Sequence, residues 1–111
     1  MQARTVIILD ETASDLDAGK EFYDLQEEGI GLYFIDSLIS DIESLRIFAG
    51  IHSRRFGFYR MLSKRFPFAI YYDVSEKFVQ VAAVLDMRRN PAWIRQELKG
   101  RPNQTGDDNS E

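Results

Sequence analysis

Six basic residues stand between Arg46 and Tyr72 with no acid among them: Arg46, Arg54, Arg55, Arg60, Lys64 and Arg65. Arg88 and Arg89 follow the last apolar run, and Trp93 comes just after Pro91. A guanidinium fork grips phosphate or carboxylate oxygens through two parallel hydrogen bonds and can stabilise a developing phosphorane charge. An aromatic ring beside it can stack on a base. The chemistry on offer is therefore anion recognition, directed at a polyanion or at an acidic partner segment. Arg60, Arg88 and Arg89 are expected to converge at one end of a sheet. The plain alternative is that Arg60 and Arg88 pair with Asp73, Asp86 or the acidic first helix, while Trp93 packs the C-terminal turn onto the core.

Other chemistries lack their residues. The chain has no cysteine, which removes disulfides, thiolate metal sites and cysteine nucleophiles. Its one histidine, His52, falls in a loop beside Arg54 and Arg55 and reads as a solvated loop residue rather than a base or ligand. The Gly29-Ile30-Gly31 run follows a helix, not a strand, so it is a turn and not a phosphate loop. The carboxylates of the first third alternate around a solvated helix face, and none pairs with another in an apolar pocket. No catalytic residue, metal or cofactor is assigned.

The charge is segregated. Residues 1–43 carry a net −9, residues 44–101 a net +8, and residues 102–111 a net −3. The basic half suits a polyanion or an acidic partner. No apolar run reaches the roughly 18–20 residues of a membrane span, and no signal-peptide pattern opens the chain. With the absence of cysteine, this gives the expectation of a cytoplasmic protein without membrane partners.

Periodicity then gives the elements. The apolar, β-branched residues 4–9 read as a first strand. A helix follows, with Thr12 as N-cap, Asp15 at its third position, and Gly19 inviting close approach by a second helix. Gly29 and Gly31 end it. Ile35, Leu38, Ile42 and Leu45 form the stripe of a second helix over 32–48, making a helical hairpin. After Gly50 the period falls to two. Residues 56–63 and 65–74 read as strands, Ser75, Glu76 and Lys77 as a tight turn, and 78–85 as a central strand buried on both faces. Leu38, Ile42 and Leu45 are expected to pack on Ile70, Tyr72, Val81 and Ala83. Pro91 opens a short last helix to Lys99. The sequence thus predicts an α+β fold of order β-α-α-β-β-β. One domain spans 1–99, and an apolar-free, mobile acidic tail spans 100–111.

The pair Asp15-Leu16 with Tyr23, the Gly-Ile-Gly turn followed by Phe34-Ile35, the block RFPFAIYY (65–72) and the block AAVLDMRRNPAW (82–93) resemble the RelE/ParE toxin family. The resemblance spans residues 4–98 in order. It implies the same β-α-α-β-β-β fold and an antitoxin partner encoded beside the toxin. It implies one of two activities: binding and inhibition of DNA gyrase, as in ParE-like members of plasmid-stabilisation type, or cleavage of messenger RNA in the ribosome, as in RelE-like members. No tyrosine or histidine follows Asn90, and the whole chain is acidic, so the RNase pattern fits less well. A general acid for cleavage would have to come from Tyr71, Tyr72 or an arginine cluster. An inactive member that acts only as a binding partner would look alike. On this reading Arg60, Arg65, Arg88, Arg89 and Trp93 meet the target, and Arg54, Arg55, Arg60 and Tyr72 meet the antitoxin.

Overall fold

A computed structural model describes residues 3–102 of the chain. The order is β1 (Thr5–Ile8), α1 (Asp10–Gln26), α2 (Ile30–Glu43), α3 (Leu45–Phe48), β2 (Arg54–Arg55), β3 (Phe58–Leu62), β4 (Phe68–Val74), β5 (Phe78–Asp86) and α4 (Pro91–Lys99). The expected α+β order holds, with one short strand and one helical turn added. The five strands form one sheet in the order β1-β5-β4-β3-β2. Neighbours from β2 to β5 run antiparallel, and β1 pairs parallel with β5.

The helical hairpin covers one face. Phe34, Leu38, Ile42 and Leu45 are buried against Ile70, Tyr72, Val79, Val81 and Val84. The stripe is thus centred on Phe34, with Ile35 and Ile39 at its margin. Helix α1 runs past α2 at Gly19, where an added Cβ would stand 2.5 Å from two ring carbons of Phe34. The expected close approach is therefore real. Gly29 makes the turn at φ +95°, in the left-handed region that favours glycine. Gly31 lies inside α2, and its amide donates to Asp24 Oδ1 at 2.8 Å.

Three expectations need correction. Thr12 and Asp15 do not cap α1, whose N-cap is Leu9. They serve the sheet instead. Strand β1 pairs only with Phe78–Val81 of the longer β5, which leaves the far half of that edge without a strand partner. The Thr12 hydroxyl donates to the Val81 carbonyl at 2.8 Å, and Asp15 Oδ2 accepts from the Val84 amide at 3.0 Å. Ala83 does not face the hairpin either. Tyr71 pairs with Ala83 but Tyr72 with Val81, so Ala82 is an extra residue in β5. That bulge reverses the side-chain phase and turns Val84, not Ala83, towards α2. Finally, the strand expected over 56–63 begins at Phe58. Phe56 and Gly57 both have positive φ and form a tight hairpin turn between β2 and β3.

The opposite face carries Phe58, Ala69, Tyr71, Ala83 and Leu85, partly covered by Ile94 and Leu98 of α4. Asn90 caps this helix, accepting from the Ala92 amide at 2.7 Å, and Pro91 stands in its first turn, as expected. Of the tail expected over 100–111, residues 103–111 lie outside the described residues. Arg101 is not loose: it is buried against Asp15, Glu97 and the Ala82 carbonyl.

Candidate functional site

Strand alternation divides the expected antitoxin residues between the two faces. Arg54 lies opposite Tyr59, and Tyr59 opposite Tyr72. The Arg54 guanidinium sits 4.9 Å above the Tyr59 ring, which stacks on Tyr72 at 5.4 Å. This row belongs to the hairpin side. Tyr72 is fully buried there and presents no surface to a partner. Its hydroxyl accepts from the Gly50 amide at 2.8 Å and stands 2.6 Å from His52 Nδ1.

His52 is therefore not the solvated loop residue expected from the sequence. Burial lowers its pKa below the ordinary 6.5. Because the folded value is depressed, His52 adds stability that is complete above the unfolded value. That stability falls away as pH drops below about 6.5 towards the folded value. Urea midpoints of the wild-type chain are expected to decline more between pH 7.5 and 5 than those of His52→Gln. Parallel declines would remove His52 from the account.

The other row faces the open side. Arg55 lies opposite Phe58, and Arg60 opposite Tyr71. Arg55, Phe56, Arg60, Tyr71, Met87, Pro91 and Ile94 line a pocket of about 200 Å³ between the sheet and α4. Arg95 of α4 holds its guanidinium 5.1 Å from the Phe56 ring and steadies the turn that forms the rim. Burial pushes the Tyr71 phenol above its ordinary pKa, and the Arg60 and Arg55 charges pull it partly back. Arg60 also borders a second groove, along the β3 edge, with Phe48, Ile51, Met61, Leu62 and Lys64.

The expected target residues lie mostly at one end of the sheet. The Met87 amide donates to the Pro67 carbonyl at 2.9 Å, which places the Lys64–Pro67 connection beside the turn after β5. Arg65, Arg88 and Arg89 are all exposed there. Arg60 is not at this end; it lies in mid-strand on β3. Arg88 is engaged as the plain alternative expected: Nε and Nη2 donate to the two Asp86 oxygens at 3.0 and 2.8 Å. That pairing holds the Asp86 carboxyl below the usual carboxylate range. Arg89 lies flat on Trp93, with its guanidinium 3.8 Å from the ring centre. The half-buried Trp93 packs on the α4 side of the core and keeps its other surface for the Arg89 stack. Among the described residues no group of His, Asp or Glu is arranged to hold a metal ion.

No family model matches the sequence, and no curated protein matches it. The fold does find a counterpart. A chain of the structure titled "Chromosomal ParDE TA system from P. aeruginosa" superposes with a TM-score of 0.67 at 21% identity. The match takes in 74% of this chain and 94% of that one. This chain has the RelE/ParE-like fold. The likeness read from its sequence blocks is thereby borne out at the level of architecture. Within a RelE/ParE-like frame, sequence reasoning missed Arg101 and the true role of Thr12 and Asp15, which together close the β5 edge. Their signal was slight: a threonine and an acid near a helix start also read as a cap. No helix among the described residues is long and apolar enough to cross a membrane.

Proposed function

We propose that this chain is the toxin of a type II toxin–antitoxin system, neutralised by an antitoxin encoded beside it, and that it acts by binding DNA gyrase in the cytoplasm. The fold shared with almost the whole of a ParDE chain carries this reading. The Arg89–Trp93 stack supports gyrase binding over RNA cleavage. Arginine and tryptophan are the side chains most enriched among interface hot spots, and here they are paired and half exposed. Arg88, by contrast, would have to leave its bidentate pair with Asp86 before it could stabilise a cleaving phosphate. The one histidine has its Nδ1 engaged by the Tyr72 hydroxyl, and its ring borders the β3-edge groove. The antitoxin segment would lie on the open face and along the β3 edge, over Arg55 and Arg60.

The test pairs two assays on the purified chain, gyrase supercoiling and ribosome-dependent cleavage of messenger RNA. Inhibition of supercoiling is expected, relieved by the product of the adjacent gene. Trp93→Ala and Arg89→Ala should each weaken inhibition roughly thirtyfold, the equivalent of about 2 kcal/mol at a hot spot. More protein should restore it, since affinity and not a catalytic rate is lost. Cleavage of messenger RNA with supercoiling untouched would replace gyrase by the ribosome. Failure of the adjacent product to bind or to relieve growth inhibition would remove the toxin reading itself.

A further inference from the structure

We propose that the pocket of Arg55, Arg60 and Tyr71 on the open face is a carboxylate site that receives an acidic side chain of an extended partner segment. The proposal rests on the reading of this chain as an antitoxin's partner and names the contact by which it is held.

Arg60 carries most of the argument. Its Nε is buried and has no hydrogen-bond partner among the described residues. A buried donor left without an acceptor is destabilising, so a ligand that accepts from it recovers that loss on binding. Tyr71, its cross-strand partner, supplies a hydroxyl on the same face, and burial keeps that hydroxyl protonated and able to donate. Arg55 adds a second guanidinium at the rim, on an exposed residue. Two cations and a phenol line a pocket of about 200 Å³, which has room for an acidic side chain. Asp73 lies two residues further along β4 on the same side, buried in the sheet, and does not line the pocket.

The walls choose between classes of anion. Phe56, Met87, Pro91 and Ile94 enclose the pocket with apolar surface. A nucleic-acid backbone needs an open, basic track along several phosphates. A polypeptide that alternates an acid with apolar residues fits an enclosed cation between apolar walls. Arg60 also borders the β3-edge groove, where Phe48, Ile51 and Leu62 are exposed. One extended segment can therefore set apolar side chains in that groove and its carboxylate in the pocket.

The experiment follows the Arg60 Nε–Hε resonance of the full chain by nuclear magnetic resonance. The probes are acetyl-Leu-Glu-Leu-Asp-Leu-amide, the same peptide with Gln and Asn in place of the acids, and a hexauridylate. The acidic peptide should move the Arg60 signal at saturation, while the amide peptide and the RNA should not. Arg60→Gln should weaken peptide binding roughly tenfold to a hundredfold, as for loss of a charge-assisted hydrogen bond. Arg55→Gln changes an exposed residue, keeps the fold, and should weaken binding by a smaller factor. Equal binding of the amide peptide, or a shift caused by the RNA alone, would overturn the carboxylate site. Tighter peptide binding to a chain ending at Pro102 would overturn it too, by giving the pocket to this chain's own acidic end. If the adjacent gene product neutralises the chain yet no acidic peptide shifts Arg60, the site fails and the proposed function stands.

Discussion

Replacing Arg101 with alanine is expected to cost the fold about 3 kcal/mol, the lower end of the range for removing one partner of a buried ion pair. Its Nη1 donates to Asp15 Oδ2 at 2.8 Å and to the Ala82 carbonyl at 2.9 Å, and its Nη2 donates to Asp15 Oδ1 at 3.0 Å. The two side chains keep only 8% and 13% of their surface. Glu97, one turn back on α4, adds a longer contact at 3.3 Å. One guanidinium thus ties the end of α4 to α1 and to the edge of β5 where β1 has stopped. Truncation leaves the Asp15 carboxylate half-enclosed and the Ala82 carbonyl unpaired, and a small domain should lose about 10 °C or more in melting temperature. Arg101→Lys keeps the charge but not the fork and should fall between. The protection of the β5 amides against hydrogen exchange is the second readout, since a lost clasp should open that edge first. An unchanged melting temperature in Arg101→Ala would show that the clasp contributes nothing to the fold in solution.

This clasp also marks where the sequence stopped being legible. Helices α2 and α4 and strands β4 and β5 were readable because burial imposes a period on their apolar residues. Phe68, Ile70, Tyr72 and Val74 share a face as the alternation requires. The period carries no sign of a bulge, so the phase change at Ala82 put Ala83 on the wrong face. Two adjacent alanines pack equally well on either side and give no hint. The Phe56-Gly57 turn was hidden for a related reason: Phe56 continues the aromatic alternation into a tight turn. Arg101 was hidden by its polar neighbours, because long-range pairing of a lone arginine leaves no local trace. The basic residues of the candidate site were easy to find by type. Their division between two faces was not, since it turns on the two-residue β2 and its register with β3. Tyr72 shows the consequence. It sits in a run of surface-like aromatics and basic residues, yet its hydroxyl is spent on Gly50 and His52.

Phe34→Ala is expected to cost about 3–5 kcal/mol, since it empties the centre of the core between the helical hairpin and the sheet. The ring is fully buried and lies 4.9 Å from Phe68, 5.1 Å from Phe66 and 5.2 Å from Tyr23. It also rests on Gly19, which makes the two positions a pair. In the wild-type background Gly19→Ala drives a methyl to 2.5 Å from the ring. Methyl and ring would overlap, so the substitution should destabilise by about 1–3 kcal/mol. Without the ring the same substitution merely replaces a glycine in a helix interior by the best helix former, worth about 1 kcal/mol in its favour. Gly19→Ala should therefore change sign between the two backgrounds. Urea denaturation of the wild type, both single variants and the double variant measures this coupling directly. Additive effects, or a Gly19→Ala that stabilises the wild-type chain, would mean that α1 and α2 do not touch at Gly19 and Phe34. The hairpin would then have to be seated on the sheet by the Leu38, Ile42 and Leu45 stripe alone.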